Sequence, residues 1–163
     1  MYTVAILTSS DAGSQGERDD TSGQAAIELS TAAGFDVTIR EVVPDDYETI
    51  VDRLTRWSQQ VNVILTTGGT GFGPRDVTPE ATRAVIDRVA PGLSEYMRAK
   101  TSDFTTLSYL SRGVSGTRGG CLIVNLPGSP RGVRQCLDIL LPLLPHALQT
   151  MEGPIQQHPT DSL

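Results

Sequence analysis

Apolar residues recur along this chain with two interleaved periods. Residues 3–7, 37–42, 61–65 and 121–124 are short runs rich in Val, Ile and Leu, and read as strands. In 3–7 and 61–65 the apolar residues follow one another without strict polar alternation, as in strands covered on both faces. In 37–42, Val37, Ile39 and Glu41 alternate with Thr38, Arg40 and Val42, which places that strand nearer an edge.

Between the strands the period becomes helical. Ser22 is an N-cap candidate for a helix with Ala25, Ala26, Leu29, Ala32 and Ala33 on one face, closed by Gly34. A second helix follows Asp45 and Asp46, with Tyr47, Ile50, Leu54 and Trp57 in register. Thr78, Pro79 and Glu80 supply an N-cap, a first-turn proline and an acidic first turn for a third, with Ala81, Val85 and Val89 on its face. Pro91 and Gly92 break it, residues 93–99 start a short helix, and 103–110 carry no period. Val133, Leu137, Leu140, Leu144, Leu148 and Met151 form a last apolar stripe, split or kinked by Pro142 and Pro145. Residues 12–21 and the glycine-rich 113–120 read as connections.

Strands alternating with helices predict an α/β fold with a mainly parallel sheet, as one domain over 1–153 with a polar tail at 154–163. Such a sheet brings the C-terminal ends of its strands to one rim. Those ends carry Thr8, Ser9, Ser10 and Asp11; Pro44 and Asp45; residues 66–76; and residues 125–129. Hydroxyls, glycines and carboxylates at every end point to a groove for a polar ligand.

The central stretch, TTGGTGFGPRD at 66–76, presents glycine amides that suit an anion, or else forms a structural turn. It is neither of two standard phosphate motifs. The P-loop needs a lysine, and the single lysine, Lys100, lies elsewhere; the dinucleotide fingerprint needs glycine where Pro74 stands. A net charge of −6 argues against non-specific nucleic-acid binding, so an anionic ligand requires local compensation. Mg2+ between Asp45 and Asp76 would supply it, since that ion accepts one or two carboxylates and keeps its other positions for water and phosphate. Arg75, Arg112 and Arg131 are further cationic candidates, with solvated surface arginines as the alternative. For Asp45 and Asp46 the alternative is helix capping.

His146 and His158 lie away from the strand ends, which removes a Ser-His-Asp triad and a histidine metal site. Cys121 and Cys136 have no metal spacing and read as buried free thiols, favouring a reducing compartment. No apolar run approaches the roughly 20 residues of a membrane span. The expectation is a cytoplasmic protein that binds neither membrane nor nucleic acid.

TTGGTG at 66–71, GPRDVTPEAT at 73–82, PD at 44–45, SD at 10–11, DTSG at 20–23, LSR at 110–112 and NLPGSP at 125–130 together resemble the molybdopterin adenylyltransferases, which include bacterial Mog proteins and the gephyrin G domain. The resemblance implies the molybdopterin-binding α/β sandwich, a homotrimer, and transfer of AMP from ATP to the terminal phosphate of molybdopterin. It implies catalytic roles for Asp45, Asp76 and Ser111, with Asp45 and Asp76 organising Mg2+. Implied substrate contacts are Ser10, Asp11, Thr67, Gly68, Gly69, Thr70, Gly71, Arg75, Arg112, Asn125, Pro127, Gly128 and Ser129. A molybdate-inserting enzyme is the implied protein partner. The segment before LSR, where relatives often carry proline and alanine, reads TTLSY at 105–109, and Ala12 follows Asp11 where many relatives have a larger or polar side chain. A MoaB-type paralogue or scaffold with little transfer activity, a phosphate-ester hydrolase and a pure interaction module are the competing readings.

Overall fold

A computed structural model describes residues 1–153. The expected tail, 154–163, and His158 lie outside them. Six strands form one sheet in the order β2-β1-β3-β6-β5-β4. They are β1 (Thr3–Ser9), β2 (Asp36–Val43), β3 (Val63–Thr67), β4 (Arg88–Val89), β5 (Ser115–Arg118) and β6 (Cys121–Leu126). The first four in spatial order are parallel; β5 and β4 add an antiparallel edge. The helices are α1 (Asp11–Ser14), α2 (Thr21–Ala32), α3 (Tyr47–Trp57), α4 (Thr78–Val85), α5 (Pro91–Thr101), α6 (Pro130–Leu140) and α7 (Leu144–Glu152).

Because successive strand side chains point to opposite faces, each central strand feeds two cores. Val4, Ile6, Val63, Leu65, Leu122 and Val124 join the core under α2 and α6. Ala5, Leu7, Ile64 and Ile123 join the one under α3 and α4. All ten are buried, the reason these strands show no polar alternation. β2 lies at the edge, as its half-polar pattern predicts.

Several local expectations change. α2 is capped by Asp20, whose carboxylate accepts from the Gly23 amide at 2.9 Å, rather than by Ser22, which is buried in the first turn. α1 interrupts the connection expected at 12–21. α4 ends at Val85, because Ile86 is extended, so Val89 leaves the helix face and pairs in β4, where it is 66% exposed. The glycine-rich 113–120 contains β5, where a Cβ at Gly116 would lie 2.5 Å from the Arg88 carbonyl; glycine allows the edge strands to meet. Residues 106–110 form a 3-10 turn. A second such turn, Leu141–Leu143, separates α6 from α7 where Pro142 and Pro145 fall. Cys121 and Cys136 are free and buried, and burial pushes both thiols up to about 12. No helix among the described residues is long and apolar enough to cross a membrane.

Candidate functional site

Chain direction at the sheet rim opens the site. β3 leads to α4 on one face, whereas its neighbours β1 and β6 lead to α2 and α6 on the other. The backbone therefore diverges on both sides of β3, and such divergence leaves a crevice beyond the strand ends. Next to β6 it is a cavity of about 630 Å3. Gly69, Thr70, Gly71 and Asp76 line it from the β3 loop, Asn125, Pro127, Gly128, Ser129 and Arg131 from the β6 loop and α6, and Ser111 from the segment before β5. Met97, Phe104, Leu107 and Leu110 add apolar surface from α5, the link after it and the 3-10 turn, beside the hydroxyls of Thr101 and Ser108.

The loop after β3 takes a shape that glycine alone permits. Gly68 and Gly69 have φ of +89° and +68°. A Cβ at Gly68 would fall 2.3 Å from the Ser9 carbonyl oxygen, and one at Gly69 2.4 Å from the Thr78 hydroxyl. Thr78, expected as an N-cap, instead donates its hydroxyl to the Gly68 carbonyl at 2.9 Å, and its amide donates to the Gly69 carbonyl at 3.2 Å. Among the described residues the amides of Gly69, Thr70 and Gly71 donate to no protein group. Gly71 and Gly73 wrap the Asp76 carboxylate so closely that a Cβ on either would meet it at 2.9 or 3.0 Å, and the Gly73 amide donates to it at 2.9 Å.

Several residues expected to touch ligand serve the frame. Arg112 donates from Nε to the Gly71 carbonyl at 2.6 Å, from Nη2 to the Asp76 carbonyl at 2.9 Å, and from Nη1 to Glu80, whose carboxyl it holds below the usual range. Its guanidinium braces the loop. Thr67 donates to the Pro127 carbonyl at 2.7 Å, joining the loops of β3 and β6. The Ser10 hydroxyl accepts from the Gly13 amide at 2.9 Å and caps α1. Gly68 packs against β1 and does not line the cavity. Asn125, 2% exposed, donates to the hydroxyls of Thr66 and Thr82, both at 2.9 Å, and accepts from the Val114 amide at 3.1 Å. It lines the cavity floor with most of its hydrogen-bonding capacity spent.

Asp45 and Asp46 divide the two roles open to them. Asp46 caps α3, accepting from the Thr49 amide at 2.9 Å. Asp45 turns to the rim: Ser9 Oγ donates to Oδ1 at 2.6 Å and the Asp11 amide to Oδ2 at 3.0 Å. It lies outside the cavity lining, as do Asp11 and Arg75. Arg75 grips Asp11 with two bonds, Nε to Oδ2 at 3.0 Å and Nη2 to Oδ1 at 3.1 Å, which holds the Asp11 carboxyl below its usual range. The Ser111 hydroxyl accepts from the Gly113 amide at 3.2 Å. Arg98, on α5, carried no signal in the sequence beyond being an arginine on a helix; it lines the cavity and donates to the Gly113 carbonyl at 2.9 Å.

Among the described residues no three His, Cys, Asp or Glu side chains gather as an all-protein cage. Asp76 lies against Gly71 and Gly73, and Asp45 is held by Ser9 and the Asp11 amide; both are half-buried carboxylates of the hard-oxygen type that Mg2+ accepts in ones or twos, with water and phosphate completing its shell.

Comparison with known proteins identifies the family. A family model described as a probable molybdopterin binding domain matches residues 5–146. The chain is 44% identical over 150 residues to the molybdenum cofactor synthesis protein cinnamon of Drosophila melanogaster, covering 90% of this chain but a quarter of that protein. It is 34% identical over 158 residues to a molybdopterin adenylyltransferase of Helicobacter pylori, covering 94% of this chain and 90% of the relative. The crystal structure of the molybdopterin biosynthesis enzyme MoaB from Thermus thermophilus superposes with a TM-score of 0.89 at 48% identity, covering 96% of this chain and all of that one. By sequence and by fold, the chain belongs to the molybdopterin-binding family that contains the Mog and MoaB proteins.

Proposed function

We propose that this protein is a molybdopterin adenylyltransferase of molybdenum cofactor biosynthesis, transferring AMP from ATP to the terminal phosphate of molybdopterin and releasing pyrophosphate. The observation that carries the reading is the free Gly69–Gly71 amides and the Asp76 carboxylate opening together into a cavity with apolar surface. One end suits phosphate and the other a flat heterocycle.

A phosphate monoester has a second pKa near 6, so the attacking oxygen is largely deprotonated at neutral pH and needs no general base. That oxygen bonds to the α-phosphorus of ATP as the bond to the bridging oxygen breaks, and the leaving pyrophosphate takes the electron pair. The chain's task is alignment and charge neutralisation. The amides of Gly69, Thr70 and Gly71 hold anionic oxygens, Ser129 and Arg131 flank them from the start of α6, and Ser111 orients the pterin substrate. Asp45 and Asp76 would hold Mg2+, which supplies charge compensation for the phosphates when bound. The active assembly in this reading is a cytoplasmic homotrimer.

Incubation with molybdopterin, ATP and Mg2+, followed by mass detection of adenylylated molybdopterin, tests the assignment. The 48% identity to a MoaB chain favours a second reading, a paralogue that binds molybdopterin with little transfer. It predicts saturable molybdopterin binding without pyrophosphate release.

A further inference from the structure

The two carboxylates of the proposed reaction sit after different strands, and one chain of contacts joins them. Asp45 follows β2, and Asp76 lies in the loop after β3. Asp11 stands between: its Oδ1 accepts the Asp45 amide at 3.0 Å, while its own amide returns a bond to Asp45 Oδ2 at 3.0 Å. Arg75, which immediately precedes Asp76, grips both oxygens of Asp11.

We propose that Asp11 and Arg75 are positioning residues: they form a clasp that holds the Asp45 carboxylate and the Asp76-bearing loop in one register. They do not contact the nucleotide or the pterin. The consequence for metal binding rests on the adenylyltransferase reading; the clasp itself belongs to the protein alone.

Two observations favour a clasp over ligand contact. The Asp11 oxygens accept three protein hydrogen bonds between them, and a carboxylate repels phosphate. The planar guanidinium fork meets the carboxylate along two bonds, which sets orientation as well as distance and which a lysine cannot reproduce. An ion pair whose side chains are 65% and 39% exposed adds little to global stability, so its value lies in geometry. Asp45 and Asp46 also act on the Arg75 charge after Asp11, so the guanidinium offsets the negative charge gathered after β2.

The test uses Arg75→Ala, Arg75→Lys and Asp11→Asn in two arms. In the first, hydrogen exchange is followed on the full chain without ligands. Both Arg75→Ala and Asp11→Asn should speed exchange at the Asp45 amide and in residues 71–76, with exchange in the core strands unchanged. Unaltered exchange at Asp45 in Arg75→Ala overturns the clasp, whatever the protein catalyses.

In the second arm, Mn2+ is titrated by electron paramagnetic resonance in the presence of a non-hydrolysable ATP analogue. Half-saturation should rise about tenfold in Arg75→Ala and Asp11→Asn, the size expected when support behind a metal ligand is lost, and less in Arg75→Lys. Molybdopterin affinity should not move. If Arg75→Ala weakens the analogue equally without metal, Arg75 is a phosphate contact and the clasp is wrong. If the unmodified protein binds neither analogue nor Mn2+, the adenylyltransferase reading fails, and the exchange arm alone decides the clasp.

Discussion

The Thr78 hydroxyl donates to the Gly68 carbonyl at 2.9 Å, so the first residue of α4 fastens the loop that enters the helix instead of capping it. The bond is buried, and it forms only because Gly68 and Gly69 turn the carbonyls inward at positive φ. Loop shape and helix start are one unit.

Gly68→Ala should therefore be costly. The methyl would meet the Ser9 carbonyl oxygen at 2.3 Å on a backbone already in the left-handed region, and a loss of about 3 kcal/mol is expected. Gly119→Ala, at φ +53° with nothing within 4 Å, should cost about 1 kcal/mol. Urea denaturation of both variants compares them; equal losses would show that the approach to β1 is unimportant.

Asp76→Asn should retain the fold, since an amide oxygen can still accept from the Gly73 amide. It removes the charge at the cavity mouth. Turnover measured as pyrophosphate release should fall about a hundredfold, the scale of losing one preorganised electrostatic group. Near-normal turnover would remove Asp76 from the mechanism.

Asn125→Ala would strand the buried hydroxyls of Thr66 and Thr82 and the Val114 amide. A buried group without a partner costs about 1–3 kcal/mol, so a total of ~3 kcal/mol is expected in thermal or chemical unfolding. A loss confined to ligand affinity would contradict the structural role seen here.

Ser30 gives the opposite sign. Its hydroxyl, in the last turn of α2, is fully buried and is the buried side-chain polar atom without a hydrogen-bond partner among the described residues. Ser30→Ala should stabilise by about 1 kcal/mol, because the desolvation cost disappears and helix propensity improves. A lower melting temperature would mean that the hydroxyl has a partner.

Asp11, Asp46, Glu28 and Glu80 all have carboxyls lowered by hydrogen-bonded partners: Arg75, Thr49, Arg134 and Arg112 respectively. Each is lower folded than unfolded, so between those two values the unfolded chain binds more protons. Their contribution is then present above the ordinary carboxylate range, about 4, and is lost as pH falls through the lower folded values. Melting temperature should drop as pH falls below about 4, and Asp11→Asn should make that drop shallower.

Much of the architecture was legible along the chain. Val4 to Leu7 and Val63 to Leu65 are apolar on both faces because both faces are covered, and no other arrangement suits such runs in water. Leu137, Leu140, Leu144 and Leu148 announced a packed helical face, and the prolines among them marked its break. The rim motifs converged as parallel strands require. The two antiparallel strands were not legible: Ser115–Arg118 carries glycine and polar residues, and becomes a strand because β6 offers it unpaired backbone. Val89 fitted the period of α4 and left it because the chain turns at Ile86 to pair with β5.

Periodicity, glycine placement and strand-end chemistry are local properties, and they were enough to dictate the alternating elements, the buried strands and the rim where polar groups meet. Which rim group faces ligand and which serves the frame depended on how the elements came together in space. Asp45 and Asp46 are neighbours of one residue type; Asp46 reaches the Thr49 amide three residues ahead, while Asp45 reaches Ser9 and Asp11 across the sheet. Thr67, Arg112 and Asn125 likewise find partners 60, 41 and 59 positions away. A hydrogen bond depends on a few ångströms and an angle, and only the folded chain sets those between residues so distant in sequence.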